Sequence, residues 1–221
     1  MPAQAPLSQK HHDAIRLRAL LRDASARREA GAFVLEGPRV VADALARGVE
    51  LEAVYLGPGA RQSFASLVSR LDAAGVSTRD LKEGVLEKIG TTRTPQPVLG
   101  LAATPPMVAV DAIAPGLVVV CAGVADPGNL GTIIRSAEGA GATAIVVADG
   151  VDPWNPKVVR GSAGAVLGVP VAVVADVPGA LSVLRGRGWR AVGTDADATE
   201  TYTAVELGDR KSTRLNSSHR H

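Results

Sequence analysis

Three neighbouring stretches constrain this chain more tightly than any other: residues 117–122 (LVVVCA), 126–135 (DPGNLGTIIR) and 142–148 (ATAIVVA). A short apolar run bounded by Gly and Pro reads as a strand buried on both faces. Asp126-Pro127-Gly128-Asn129 is a dense turn signal, and Asn129 is expected to cap a helix over about 130–140. Leu130, Ile133, Ile134 and Ala137 recur at i, i+3, i+4 and i+7, so one face packs on a sheet. Gly139 and Gly141 supply the stop, and residues 142–148 form the next strand. The result is a βαβ unit with an expected right-handed crossover. Two side chains in it do not serve packing, Asn129 and Arg135. Spacing alone is satisfied by a helix cap and a solvated Arg pairing with Glu138 at i+3.

Composition narrows the classes. A formal net charge of +2 gives no global polyanion signal, so any nucleic-acid footprint must be local. Aromatics at 3% argue against base-stacking platforms built from rings. Cys121 is the only cysteine and falls in an expected core strand, so neither disulfide nor metal chemistry is indicated. All four histidines, His11, His12, His219 and His221, lie near the ends, which leaves none for an internal metal site or triad. The apolar runs are far too short to span a membrane, no signal peptide is evident, and a cytoplasmic setting is expected. The dinucleotide fingerprint G-x-G-x-x-G is absent from the turn after residue 122, which argues against an NAD-type reading.

The run DPGNLGTIIRSAEGAG resembles the first signature motif of the SpoU/TrmH family of RNA ribose 2′-O-methyltransferases, within the SPOUT class. Asp126, Pro127, Gly128, Asn129, Leu130, Gly131, Ile134 and Arg135 carry the likeness together, and residues 155–171 (NPKVVRGSAGAVLGVPV) are similar to that family's next segment. The resemblance implies an S-adenosylmethionine-dependent enzyme acting on rRNA or tRNA, rRNA before tRNA, as a homodimer. It implies Arg135 and Asn129 as catalytic residues, backbone near Gly193 and Thr194 at the cofactor, and Lys157, Arg160 and Ser162 near the RNA. No metal is implied. A non-catalytic RNA-binding protein is the alternative reading.

Taken in order, residues 1–9 read as disordered. Residues 12–30 read as a basic amphipathic helix with Ile15, Leu20, Leu21 and Ala24 on one side. Strands are expected at 33–36, 51–56 and 98–103, with helices from Gly37-Pro38 to 46, over 61–74, and after an Asp80–Glu83 capping box. Residues 1–103 thus form a small α/β domain. EGPRVVADAL and the Thr-Pro-rich loop before VLGLA resemble the RNA substrate-binding domain that precedes many SpoU-type methyltransferases, which makes Arg39 and Arg93 candidates for phosphate contact. Residues 104–115, with three prolines, read as a semi-rigid linker.

Residues 116–208 read as a parallel α/β sheet of the SPOUT, or α/β-knot, type. A helix is expected from Asn155-Pro156 to 167, a strand over 169–174, a helix from Asp176 to 184 and a strand over 189–193. Ligands collect at the carboxyl ends of such strands, here the turns after Ala122 and Val192. Residues 209–221 have almost no apolar periodicity and resemble the translation of a sequencing adapter. The expectation is therefore an artefactual tail in place of the family's knot segment, and a chain that is truncated and inactive.

Overall fold

The computed structural model describes residues 5–91 and 94–194 and the backbone of 212–217. Two compact units emerge, Met1–Pro105 with Trp154–Pro156, and Pro106–Pro153 with Lys157–His221.

The first unit begins with helices α1 (His12–Arg22) and α2 (Ala24–Ala30), where a single helix is expected from the sequence. Asp23 makes the break. Its backbone is extended, it ends α1, and its carboxylate accepts the Ser25 N–H at 2.8 Å to start α2. Leu17 is buried in the α1 stripe and Ile15 faces solvent, so the apolar face is rotated from the expected one. Within the stretch expected to be disordered, Leu7 is buried, its N–H donates to the Asp80 carbonyl and its carbonyl accepts from Lys82.

The sheet of this unit contains β1 (Ala32–Glu36), β2 (Leu51–Leu56), β3 (Ser77–Asp80) and β4 (Val98–Ala103) in the order β1-β4-β2-β3. β4 runs antiparallel to β1 and β2, and β3 runs parallel to β2. Helix α3 (Pro38–Ala46) starts at Gly37 as expected, with Pro at its first turn. The expected 61–74 helix is split at Phe64 into α4 (Ala60–Ser63) and α5 (Ala65–Ala73). Asp80 caps nothing. It closes β3, and the short helix α6 (Val85–Ile89) starts after Gly84.

The second unit carries a parallel sheet of β5 (Val118–Ala122), β6 (Ala144–Ala148), β7 (Val171–Val174), β8 (Arg190–Thr194) and β9 (Ser212–Ser217), ordered β7-β6-β5-β9-β8. Helix α7 (Pro127–Gly139) joins β5 to β6, α8 (Pro156–Gly161) lies between β6 and β7, and α9 (Val177–Gly186) between β7 and β8. The helix expected through residue 167 stops at α8, because Ala163 and Gly164 both adopt positive φ. Residues expected in the linker pack on this unit instead. Ile113 is buried, the Val108 N–H donates to the Val171 carbonyl, and the Ile113 carbonyl accepts from Arg187 Nη1 at 3.0 Å.

Within the stretch expected to be an artefactual tail, residues 212–217 form β9. Ser212–Ser217 pairs along its length with β5 on one side and β8 on the other. An interior slot between two parallel strands is filled by backbone donors and acceptors, which every residue here carries, so a polar run can occupy it. The expectation that residues 209–221 stand in place of the family's knot segment falls on residues of which only the backbone of 212–217 is described.

Cys121 sits in β5 with no exposed surface, and burial pushes its thiol up to about 12. The thiolate is the reactive form. A thiol reagent such as DTNB is therefore expected to leave the native protein unlabelled at pH 8 and to titrate one thiol in urea; rapid native labelling contradicts the buried strand.

Candidate active site

The strand order reverses at β5. From there the chain moves outward through β6 and β7, then crosses to β8 and β9 on the other side. A crevice at such a switch point, at the carboxyl ends of the strands, is where open parallel sheets bind ligands. The ends are level. Cys121 of β5 and Thr194 of β8 both pair with Asn216, so Thr194 stands two strands, about 10 Å, from the end of β5.

Helix α7 starts on this edge. Its cap is Asp126, not Asn129. The Asp126 carboxylate accepts the Asn129 N–H at 2.7 Å, and Pro127 takes the first helical position, where its missing N–H costs nothing. Asn129 is thereby moved into the first turn. Its side chain faces solvent and makes no hydrogen bond among the described residues. Asp126→Ala is expected to cost about 1 kcal/mol, read as a melting temperature lower by a few degrees; an unchanged melt removes Asp126 as the cap.

Leu130, Gly131, Ile134 and Ala137 are the buried face of α7. Arg135 is exposed and has no hydrogen bond or ion pair among the described residues, so the expected pairing with Glu138 does not form. Arg135 lies about 9 Å along the helix axis from Asn129 and about a third of a turn around it. The two are not hydrogen-bonded to each other, and each reaches the solvent side of the helix separately.

Glycine is needed where α7 meets the end of α8. A Cβ on Gly131 would stand 2.8 Å from the Gly161 carbonyl carbon and from the Ser162 nitrogen. Gly131 is four residues before Arg135 and so on its face, which sets the end of α8 beside that face. Lys157 is exposed on α8. Arg160 is half-buried, and desolvation lowers its pKa without discharging it. Ser162 corrects an expectation. It is fully buried and its hydroxyl donates to the Val159 carbonyl at 3.0 Å, so it holds the turn and offers nothing to a ligand. Sequence spacing contains no signal for that burial.

Gly193 and Thr194 end β8, both exposed, and a Cβ on Gly193 would meet nothing within 4 Å. In the first unit Arg39 is exposed in the first turn of α3, and Arg93 lies outside the described residues. His11, His12 and Asp13 bring ligand-type atoms within 4.8 Å of one another, a cluster not foreseen from sequence. Its atoms are engaged in the start of α1, where His11 Nδ1 accepts the Asp13 N–H. No described helix is long and apolar enough to cross a membrane.

Fold and site define a class: a two-unit α/β protein in which a parallel sheet offers a polar helix start and an open strand end at its switch point. The SpoU rRNA Methylase family matches residues 116–214, and the MRM3-like substrate binding domain matches residues 13–100. An uncharacterised tRNA/rRNA methyltransferase of Synechocystis is 30% identical over 194 residues, covering 85% of this chain and 69% of the relative. The mitochondrial rRNA methyltransferase 3 of mouse is 35% identical over 153 residues, 66% of this chain; the match spans only 36% of that longer relative. The crystal structure of an AdoMet-bound rRNA methyltransferase from Sinorhizobium meliloti superposes with a TM-score of 0.82 at 26% identity, over 96% of this chain and 80% of that one. The chain belongs to the SpoU rRNA methylase family.

Proposed function

We propose that this protein transfers a methyl group from S-adenosylmethionine to a ribose 2′-hydroxyl of RNA, with ribosomal RNA ahead of transfer RNA as substrate. The observation that carries the reading is the pair of solvent-facing, unengaged side chains, Asn129 and Arg135, on the helix that starts at the switch point. The open Gly193 backbone fits a cofactor lying against the end of β8, with Thr194 beside it. When bound, S-adenosylmethionine supplies an electrophilic methyl group.

The remaining work belongs to this chain's own residues. A ribose hydroxyl is a poor nucleophile until negative charge on its oxygen is stabilised. The Arg135 guanidinium stays protonated, so its role is electrostatic: it stabilises the developing alkoxide and anchors the neighbouring phosphate. The Asn129 amide orients the ribose. Lys157, Arg160 and Arg39 contact phosphate, which positions RNA without reading sequence. The protein works as a homodimer in the cytoplasm.

The test uses radiolabelled S-adenosylmethionine with transcripts of ribosomal and transfer RNA. A ribose 2′-O-methyl group blocks alkaline cleavage at its nucleotide, so label in an alkali-resistant dinucleotide supports the proposal. Label in mononucleotides points to base methylation and overturns it. RNA binding without transfer or cofactor binding identifies a non-catalytic RNA-binding protein.

A further inference from the structure

Four chain segments meet along one edge of the first unit's sheet. Glu36 at the end of β1 pairs with Leu99 at the start of β4, and Leu56 at the end of β2 pairs with both Val98 and Asp80. The start of α3 with Arg39 therefore shares that edge with the turns after β2 and β3. Between the latter two opens a cleft of about 640 Å³ whose lining includes Gly57, Gly59, Arg61, Asp80, Lys82 and Glu83. That volume is in the range of sites for small organic groups.

Two features decide what the cleft takes. Its charges cancel, Arg61 and Lys82 against Asp80 and Glu83, so it is no phosphate trap. Arg61 is also held flat: Nε donates to Asp80 Oδ1 at 3.3 Å, and Nη2 donates to Asp80 Oδ2 at 3.2 Å and to Thr78 Oγ1 at 3.4 Å. With its edge engaged and its side chain 41% exposed, the guanidinium has its flat face to offer. Unstacked RNA bases are received by aromatic rings or by guanidinium planes. The chain holds only two Trp, two Tyr and two Phe, and none lines this cleft.

We infer that the Arg61–Asp80 cleft receives one unpaired base of the RNA substrate, stacked on the Arg61 guanidinium, while Arg39 along the same edge takes a phosphate. This rests on RNA being the substrate. The test measures the full chain's affinity for an oligo(C) 12-mer of RNA and for a 12-mer of abasic ribose phosphate of equal charge. The ratio of the two affinities reads the contribution of bases. Arg61→Ala is expected to lower that ratio by about tenfold, the scale of a stacked base. Arg61→Lys, which keeps the charge beside Asp80 and so the salt dependence of binding, is expected to lower it equally; this variant serves if the alanine variant melts early. A ratio unchanged in a folded Arg61 variant, with both strands still bound, overturns the base site and leaves the RNA reading standing. Failure of the unsubstituted chain to bind either strand overturns both.

Discussion

Arg135→Ala is expected to lower kcat/KM for methyl transfer by about two to three orders of magnitude, the loss found when one donor aimed at a developing oxyanion is removed, and to leave the fold intact. The first half follows from protonation. A guanidinium does not act as a base at neutral pH, so in the proposed mechanism Arg135 holds positive charge where the 2′-oxygen becomes negative. The second half follows from exposure. Arg135 makes no ion pair or hydrogen bond among the described residues and buries nothing, and substitutions of that kind stay within about 0.5 kcal/mol of the original stability. RNA affinity is expected to weaken by less than turnover, because the proposed function shares phosphate binding with Lys157 and Arg160. Arg135→Lys retains the charge and loses the planar fork, and is expected to recover only part of the rate. Single-turnover rates, RNA affinity and a thermal melt on the three proteins separate these effects. Unchanged turnover in the alanine variant removes Arg135 from the mechanism.

The βαβ unit around Arg135 is legible in the sequence because strands buried on both faces must be apolar without interruption, and 117–122 and 144–148 are. The cap of α7 is misplaced when read from residue type: Asn129 is expected there, but Asp126 takes the position, and Pro127 is the reason, since proline suits the position directly after a cap. Strands whose sequence is polar were not legible. β3 is Ser-Thr-Arg-Asp on a sheet edge, and β9 is a polar run paired on both sides; neither has an apolar alternation to read. The site divides in the same way. Asn129 and Arg135 stand out as polar side chains on an amphipathic helix, whereas the burial of Ser162 and the flat, paired Arg61 arise from contacts between segments far apart in sequence.

Gly131→Ala is expected to destabilise the protein by about 2 kcal/mol, and Gly139→Ala at the end of the same helix to stabilise it by about 0.5 kcal/mol. Replacing an interior helical glycine with alanine gains about 1 kcal/mol from backbone entropy; Gly131 collects that gain in full and Gly139, the last residue of α7, collects part of it. They differ in what a Cβ meets. At Gly139 there is nothing within 4 Å. At Gly131 the new atom would stand 2.8 to 2.9 Å from Gly161 and Ser162 backbone atoms, and backbone cannot rotate aside as a side chain can. The end of α8 must move, and it is pinned by fully buried Ser162 with its hydroxyl on Val159. Overpacking of this kind costs about 1 to 3 kcal/mol; with backbone as the obstacle the upper end applies, which exceeds the propensity gain. The displacement also carries Arg160 away from the face of α7 that holds Arg135. Gly131→Ala is therefore expected to lose activity at temperatures well below its melt, while Gly139→Ala keeps it. Denaturant melts and turnover on the two variants decide the point. Equal, stabilising effects at both glycines mean that α7 and α8 do not meet as closely as the structure has them.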